Sequence, residues 1–359
     1  MRRSRVFCTA VVVSALGLGC TDSNPTGQSA AAGVESASLK KGAAATPKPR
    51  LLVTNFQEFQ GSTVGPGGAL FVTAPLTGRI WRVDPKTGAV TLFASGLPPR
   101  IPDFFFTGSG VVDVAFLDGT AYALVTGVAP DLEGHDIVGV YRMDGPNNFT
   151  VIADLGAFSL AHPPTPDFIV STGFQYAIES FRGGFLVTDA HHNRVLRVTR
   201  DGEITELIAF DNVVPTGLAV SGNSIYVAQA GPIPHHPADG RVVVFGAKSS
   251  DETVIAAGAP LLVDVEFGRG RTLFALSQGV WDGPFEGTPA LPNTGALVQV
   301  DANGTFTVRA EGLDRPTSLE IVNNTAYVVT LGGEIWTIDN IAEPPVGGAT
   351  NSTVMPRNR

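Results

Sequence analysis

Apolar residues in this chain fall into short runs broken by Gly, Pro, Asn and Asp, and one such run recurs along the chain. The recurring unit is a strand-like segment that opens near Gly or Asn, carries apolar or aromatic side chains and often closes on Asp. It reads GRIWRVD from Gly78, GVYRMD from Gly139, NRVLRVT from Asn193, GRVVVFG from Gly240, GALVQVD from Gly295 and GEIWTID from Gly333, at spacings of 61, 54, 47, 55 and 38 residues. A second strand precedes each copy: ALFVT at Ala69, AYALVT at Ala121, FLVTD at Phe185, IYVAQ at Ile225, LFALS at Leu273 and AYVVT at Ala326. Most units also show an earlier strand, as in VVDVAF from Val111, TGLAV from Thr216, LVDVEF from Leu262 and TSLEIV from Thr317. A fourth follows in TVIADL from Thr150 and EITELIAF from Glu203. Four strands per unit, repeated radially, predict an all-β, six-bladed β-propeller with four-stranded blades over residues 49–340.

The sixth unit ends after Ile338 with three strands, while a spare strand stands at Leu51–Asn55, before the first unit. The two are expected to pair, so that an N-terminal strand closes the last blade and removes an open sheet edge.

Composition agrees with this reading. With 42 Gly, 26 Pro and only 16% charged residues, the chain has little from which to build long charged surface helices, and 43% hydrophobic residues suffice for a sizeable core. A net charge of −9 without any dense Lys/Arg stripe excludes a nucleic-acid partner.

The flanks differ from the repeats. A basic n-region (Arg2-Arg3-Ser4-Arg5) precedes an apolar run from Val6 to Leu18, too short for an ordinary membrane span, so residues 1–19 read as a signal peptide. Leu16-Gly17-Leu18-Gly19-Cys20 resembles the lipobox of bacterial lipoproteins, which makes Cys20 the expected lipidation site and membrane anchor. Residues 20–48, rich in Ala, Gly, Ser, Thr, Lys and Pro, read as a flexible tether, and residues 341–359 as a disordered tail. The only cysteines are Cys8 and Cys20, so after processing no disulfide can form within the domain. The expected address is the bacterial periplasm or cell envelope.

Seven segments carry a family resemblance: DVAFLDGTAYALV from Asp113, VIADLGAF from Val151, GFLVTDAHHNRVLRVTRDGEI from Gly184, VVPTGLAV from Val213, YVAQAGPIPHHP from Tyr226, APLLVDVEFG from Ala259 and DRPTSLEI from Asp314. Through them the chain from about residue 50 to 340 resembles the ScyD/ScyE family, six-bladed propellers of the NHL and gluconolactonase-like group. The resemblance implies a propeller outside the cytoplasm and no assigned reaction. Gluconolactonase-like enzymes hold a divalent cation with a Glu, an Asn and an Asp around the channel. The Glu-Gly-Pro that opens their first blade is replaced here by Val64-Gly65-Pro66.

In a propeller, the loops from second to third strand and the connections between blades emerge on one face, around the mouth of the central channel. His135, His191, His192, His235 and His236 fall in the former and His162 in the connection from blade two to blade three, so all six histidines map to that face. His191-His192-Asn193-Arg194 follows Asp189, and Pro234-His235-His236-Pro237 is stiffened by proline on both sides, which is expected to hold the imidazoles out into the mouth as metal ligands or general bases. The alternative is imidazoles that are solvated or bonded to backbone, since no HExxH spacing is present. Asp113 and Asp264 occupy matching Val-Asp-Val contexts on channel-lining strands. Each carboxylate either ties neighbouring blades through backbone N–H groups or binds a ligand or cation; Glu179 and Thr216 pose the same question. The loop Gln278–Thr294, with Trp281, Phe285 and Glu286, reads as a lid in which Trp281 either stacks on a flat ligand or packs onto the blade. Phe104-Phe105-Phe106 reads as a binding or membrane-facing patch.

Two functions follow. One is a lipid-anchored module that binds a small molecule or an extracytoplasmic protein through its histidine-rich face. The other is a hydrolase, lyase or oxidative-coupling enzyme of secondary metabolism that uses the same face with a divalent metal as candidate cofactor.

Overall fold

The computed structural model describes residues 40–41, 47–102, 108–165, 168–249, 251–284 and 287–342. Within them the six repeats form six antiparallel sheets of four strands in consecutive order, arranged as the blades of a propeller. The signal peptide, the Cys20 lipidation site, nearly all of the tether, the tail beyond residue 342, Phe104-Phe105-Phe106, Phe285 and Glu286 lie outside the described residues.

The innermost strands of blades one to six are Ser62–Val64, Gly110–Leu117, Gln175–Phe181, Pro215–Ser221, Leu262–Phe267 and Pro316–Val322. Blade six is completed from the N-terminus: Arg50–Val53 pairs antiparallel with Ile335–Asp339, setting Arg50 opposite Thr337 and Leu51 opposite Trp336. This closing strand stops short of the Leu51–Asn55 expected from sequence, and Asn55 beyond it adopts a left-handed backbone (φ 72°) that no strand accommodates. A further two-residue strand, Lys40–Lys41, runs parallel to the outer strand of blade five. One element escaped the strand pattern. The run after Thr150 leaves the sheet at Asp154, whose carboxylate accepts the Ala157 N–H (2.7 Å) and caps a short helix, Leu155–Ala161.

The core lies between blades. Alternate side chains of each sheet pack against the next, as where Phe71 of blade one meets Phe116 of blade two at 4.6 Å, Tyr122 meets Phe185 of blade three at 4.5 Å, and Tyr226 of blade four meets Phe267 of blade five at 5.0 Å.

Near the axis the ties between blades are polar. The pairing of first with second strands is irregular at matching places, between Val111 and Asp113, Gln175 and Ile178, Leu262 and Asp264, and Pro316 and Ser318. Such bulges leave backbone groups out of the ladder. Asp113 accepts Val114 N–H (2.9 Å) on its own blade and Ile178 N–H (2.8 Å) on blade three. Asp264 repeats the arrangement half a turn away, accepting Val265 N–H (2.8 Å) and Leu319 N–H (2.7 Å) of blade six. Gly61 of blade one and Gly217 of blade four make room for these carboxylates, because a Cβ at either would collide with Oδ1. Thr216 joins blades four and five by donating to Ala228 O and Leu262 O, both at 3.0 Å. The ring closes where the hydroxyls of Ser62 and Ser318 meet at 2.9 Å.

Replacing Asp264 by Ala strands two backbone donors at a buried junction, and urea unfolding should show a loss of about 3 kcal/mol. Asp211→Ala, on the exposed surface, should change stability by no more than about 0.5 kcal/mol.

Candidate functional site

The axial channel is divided in two. On the face that carries the second-to-third-strand loops lies an open chamber of about 140 Å³, walled mainly by apolar side chains such as Val170, Phe174, Val214, Ile233, Leu261 and Val263. Among the described residues, its polar lining residues are Gln60, Gln175, Gln278, Tyr176, Thr216, Thr288, Thr317, His191 and His235.

The four residues His191 to Arg194 separate by direction. His191 lines the chamber, its Nε2 accepting Val170 N–H at 3.2 Å, which leaves the proton of the neutral ring on Nδ1. His192 turns away: Nε2 donates to Val170 O (2.9 Å), and Nδ1 lies 3.2 Å from Arg194 and 3.1 Å from Asp189. Arg194 is buried beneath the loop, bonded to Asp189 (3.0 Å), His162 O (2.9 Å) and Ser159 (2.9 Å), and so ties the helix after blade two to blade three. Burial alone would raise the Asp189 carboxyl, but His192 and Arg194 outweigh it and hold it below its ordinary range. Asn193 acts on the wall itself. Its Oδ1 accepts both Val213 N–H (3.0 Å) and Val214 N–H (2.7 Å), fixing Val214 at φ 51°, a conformation strained for a β-branched residue.

The second histidine pair also splits, contrary to the expectation that both imidazoles project into the mouth. His235 is 8% exposed and faces the chamber, whereas His236 stands in solvent, as do His135 and His162. Trp281 meets His235 edge-on at 5.5 Å, donates Nε1–H to Thr288 O (2.9 Å) and packs with Ala230, Leu261 and Ala290. It braces the long loop against the blade, and that loop reaches the chamber through Gln278, Gly287, Thr288 and Pro289 instead.

Beneath this chamber is a second space of about 30 Å³ lined by Asp113, Glu179, Asp264, Glu266 and Glu320, with no basic side chain among the described residues of its wall. Burial pushes the carboxyls of Glu179 and Asp264 up to about 7. Burial, reinforced by the neighbouring carboxylates, holds Asp113, Glu266 and Glu320 well above their ordinary range. The divider is Tyr176, which reaches across the axis from blade three to donate its hydroxyl to Thr317 O of blade six, opposite, at 3.0 Å. Burial, Asp264 and Asp113 together raise its phenol well above the usual value. Gln60, Val112, Tyr176 and Thr317 border both spaces.

Of the residues expected from sequence, His191 and His235 share the upper chamber, Asp113 and Asp264 line the lower one, and His192, Asn193, Arg194 and Trp281 support the walls. Sequence reasoning missed Gln60, Gln175, Tyr176 and Gln278, which carried no motif. It also missed Glu266 and Glu320, although Glu266 follows Asp264 by two residues and therefore shares its strand face. Among the described residues, no three His, Cys, Asp or Glu side chains are grouped to hold a metal ion, and no carboxylate lines the upper chamber. A Glu, Asn and Asp set of the gluconolactonase kind does not fit that chamber.

No protein-family model and no curated protein matches the chain. Solved structures do match. An aldose sugar dehydrogenase from Streptomyces coelicolor, solved in its PQQ-bound form, is 14% identical, with 82% of this chain and 99% of that one covered at a TM-score of 0.55. A gluconolactonase from Xanthomonas campestris is 13% identical, covering 81% and 88% at a TM-score of 0.55. Virginiamycin B lyase from Staphylococcus aureus is 16% identical, covering 81% and 98% at a TM-score of 0.50. At these identities the likeness shows the shared propeller fold and nothing finer.

The raised carboxyls make stability depend on pH. The folded state holds protons that the unfolded chain releases above about pH 4, so stability is full in acid and falls as pH rises through about 7. The thermal midpoint in buffer free of divalent cations should be higher at pH 5 than at pH 8, by on the order of 5 °C. Glu179→Gln should flatten that slope.

Proposed function

We propose that the upper chamber binds a small, uncharged and largely apolar organic molecule, and that this is the task of the domain outside the cytoplasm. The observation that supports this most is the wall itself: an apolar surface at the channel mouth interrupted by a few carboxamides and two imidazoles, His191 and His235, the composition of a small-molecule site. Its volume matches the roughly 150 Å³ cavities that accept one benzene-sized ring, and the open side lets a larger molecule protrude. The extracytoplasmic address is supported by the signal-peptide pattern of residues 1–19 and by the lipobox-like Leu16–Cys20, which makes Cys20 the anchor. The seven shared segments support a ScyD/ScyE-like assignment.

A second reading has the chamber carry out proton-transfer chemistry on its ligand, as a lyase or hydrolase. It is favoured by the convergence of two imidazoles on one cavity, where one ring can remove a proton and the other return it. The fold likewise serves a lyase, a gluconolactonase and a sugar dehydrogenase.

One experiment separates these readings. A panel of neutral aromatic compounds and lactones is titrated against the full chain and then incubated with it under mass-spectrometric detection. Binding should weaken about tenfold in His191→Ala and His235→Ala and stay unchanged in His236→Ala. Turnover that disappears with either of the first two establishes the enzyme, and binding without turnover establishes the module. Equal binding by all three variants would refute the site.

A further inference from the structure

Gln60, Val112, Tyr176, Thr216, Val263 and Thr317, one residue from each blade, line the upper chamber around the axis. The hydroxyls in this ring are committed to the protein. Thr216 donates to Ala228 O and Leu262 O, Thr317 to Val329 O (3.4 Å) and Tyr176 to Thr317 O. Gln175, which precedes Tyr176, is committed as well, its Oε1 accepting the Thr126 hydroxyl (2.7 Å) and its Nε2 donating to Thr172 O (3.3 Å).

Gln60 differs from them. Its backbone N–H is bonded to Thr73 O (3.2 Å), which fixes the residue on blade one, but its carboxamide makes no hydrogen bond to any described residue. The residue is 7% exposed and its amide nitrogen and oxygen are not sealed away, so the exposure that remains opens on the channel. Gly108 shows how the group lies. A Cβ at Gly108 would stand 3.6 Å from Nε2, 3.7 Å from Cδ and 3.8 Å from Oε1 of Gln60. Near-equal distances to the three atoms mean that Gly108 faces the flat side of the amide and leaves its polar edge uncovered. Gly108 lines the upper chamber and is not among the described residues lining the lower one, which places the carboxamide against the wall of the upper chamber.

The edge of a primary carboxamide presents an N–H donor and a carbonyl acceptor side by side. Its complement is the same pair reversed, the cis amide of a six-membered lactam. A lactone of the same shape offers acceptors only and leaves the Gln60 carbonyl without a donor in an apolar surround. Exchanging N and O of Gln60 reverses the direction of such a ligand without changing its class. Gln278 adds to the preference for a carbonyl-bearing ligand: its Oε1 accepts Ala290 N–H (2.9 Å), and its amino group is uncommitted among the described residues.

We propose that Gln60 is the specificity-determining residue of the upper chamber and selects neutral ligands of the lactam class, with a cis-amide N–H and C=O on one edge of an apolar ring. The proposal rests on the reading of that chamber as a small-molecule site and adds what the site recognises.

2-Quinolone and coumarin test it, because these flat, neutral bicyclic molecules differ by an N–H in place of the ring oxygen. In calorimetric titration of the full chain, 2-quinolone should bind about tenfold more tightly than coumarin, and methylation of its nitrogen should remove that advantage. In Gln60→Met, which keeps the length of the side chain and removes both polar partners, 2-quinolone should fall to the affinity of coumarin, and coumarin should change by less than about twofold. His191→Ala should weaken both ligands alike. Equal affinity for the two molecules, or a preference that survives in folded Gln60→Met, overturns the proposal; if His191→Ala still weakens both, the chamber stands as a site without this selectivity. Absence of binding by both overturns the chamber and the proposal together. If circular dichroism shows Gln60→Met unfolded, Gln60→Leu and the N-methyl comparison decide.

Discussion

Six twisted sheets packed around an axis leave backbone groups at their inner edges that the strand ladders do not pair, and here Asp113 and Asp264 take up four of them. Each aspartate occupies the space left by a glycine on the blade before it and bonds to the blade after it, so each holds three consecutive blades. Between them they cover the ring in two halves, which meet where Ser62 bonds to Ser318 and where Arg50–Val53 completes blade six. The channel geometry depends on this arrangement, because the residues that line it stand on the same inner strands or on the loops that enter and leave them.

That constraint also sets the electrostatics. Carboxyl groups placed to join blades lie close to the axis, and Glu179, Glu266 and Glu320 on the inner strands of blades three, five and six add to them, so the lower channel gathers acidic groups in a confined space where burial raises all five. Above Tyr176 the walls turn apolar and, among the described residues, His191 and His235 are the ionisable side chains added to Tyr176 itself. One strand set thus presents two chemistries along a single axis. The phenol of Tyr176 is the boundary, fixed across the channel by Thr317 O.

The fold was largely legible in the sequence because the blade repeat is carried by local strand patterns, and the deficit of one strand at the end matched a surplus at the start. The site was legible only in part. Loop position could be assigned, which brought His191 and His235 to the face where the upper chamber opens, but direction within a loop depends on tertiary partners. His192 follows Val170 O, and Arg194 follows Asp189 and Ser159, residues 22, 5 and 35 positions away. Gln60 and Tyr176 gave no signal, since a lone Gln before a strand or a Tyr within one reads as an ordinary surface or core residue. The Asp113 and Asp264 pair could be recognised as a repeat, and the choice between joining blades and facing a ligand needed the positions of the Ile178 and Leu319 N–H groups.

The central claim is the division of the channel at Tyr176 into an apolar chamber and an acidic one. Anomalous diffraction from a crystal of the full chain pressurised with xenon tests it most directly, because xenon enters apolar cavities. The account predicts xenon beside Val263 and Leu261, above the Tyr176 ring, and none among Glu179, Glu266 and Glu320 below it. Xenon among those carboxyls, or none on the axis, would contradict it.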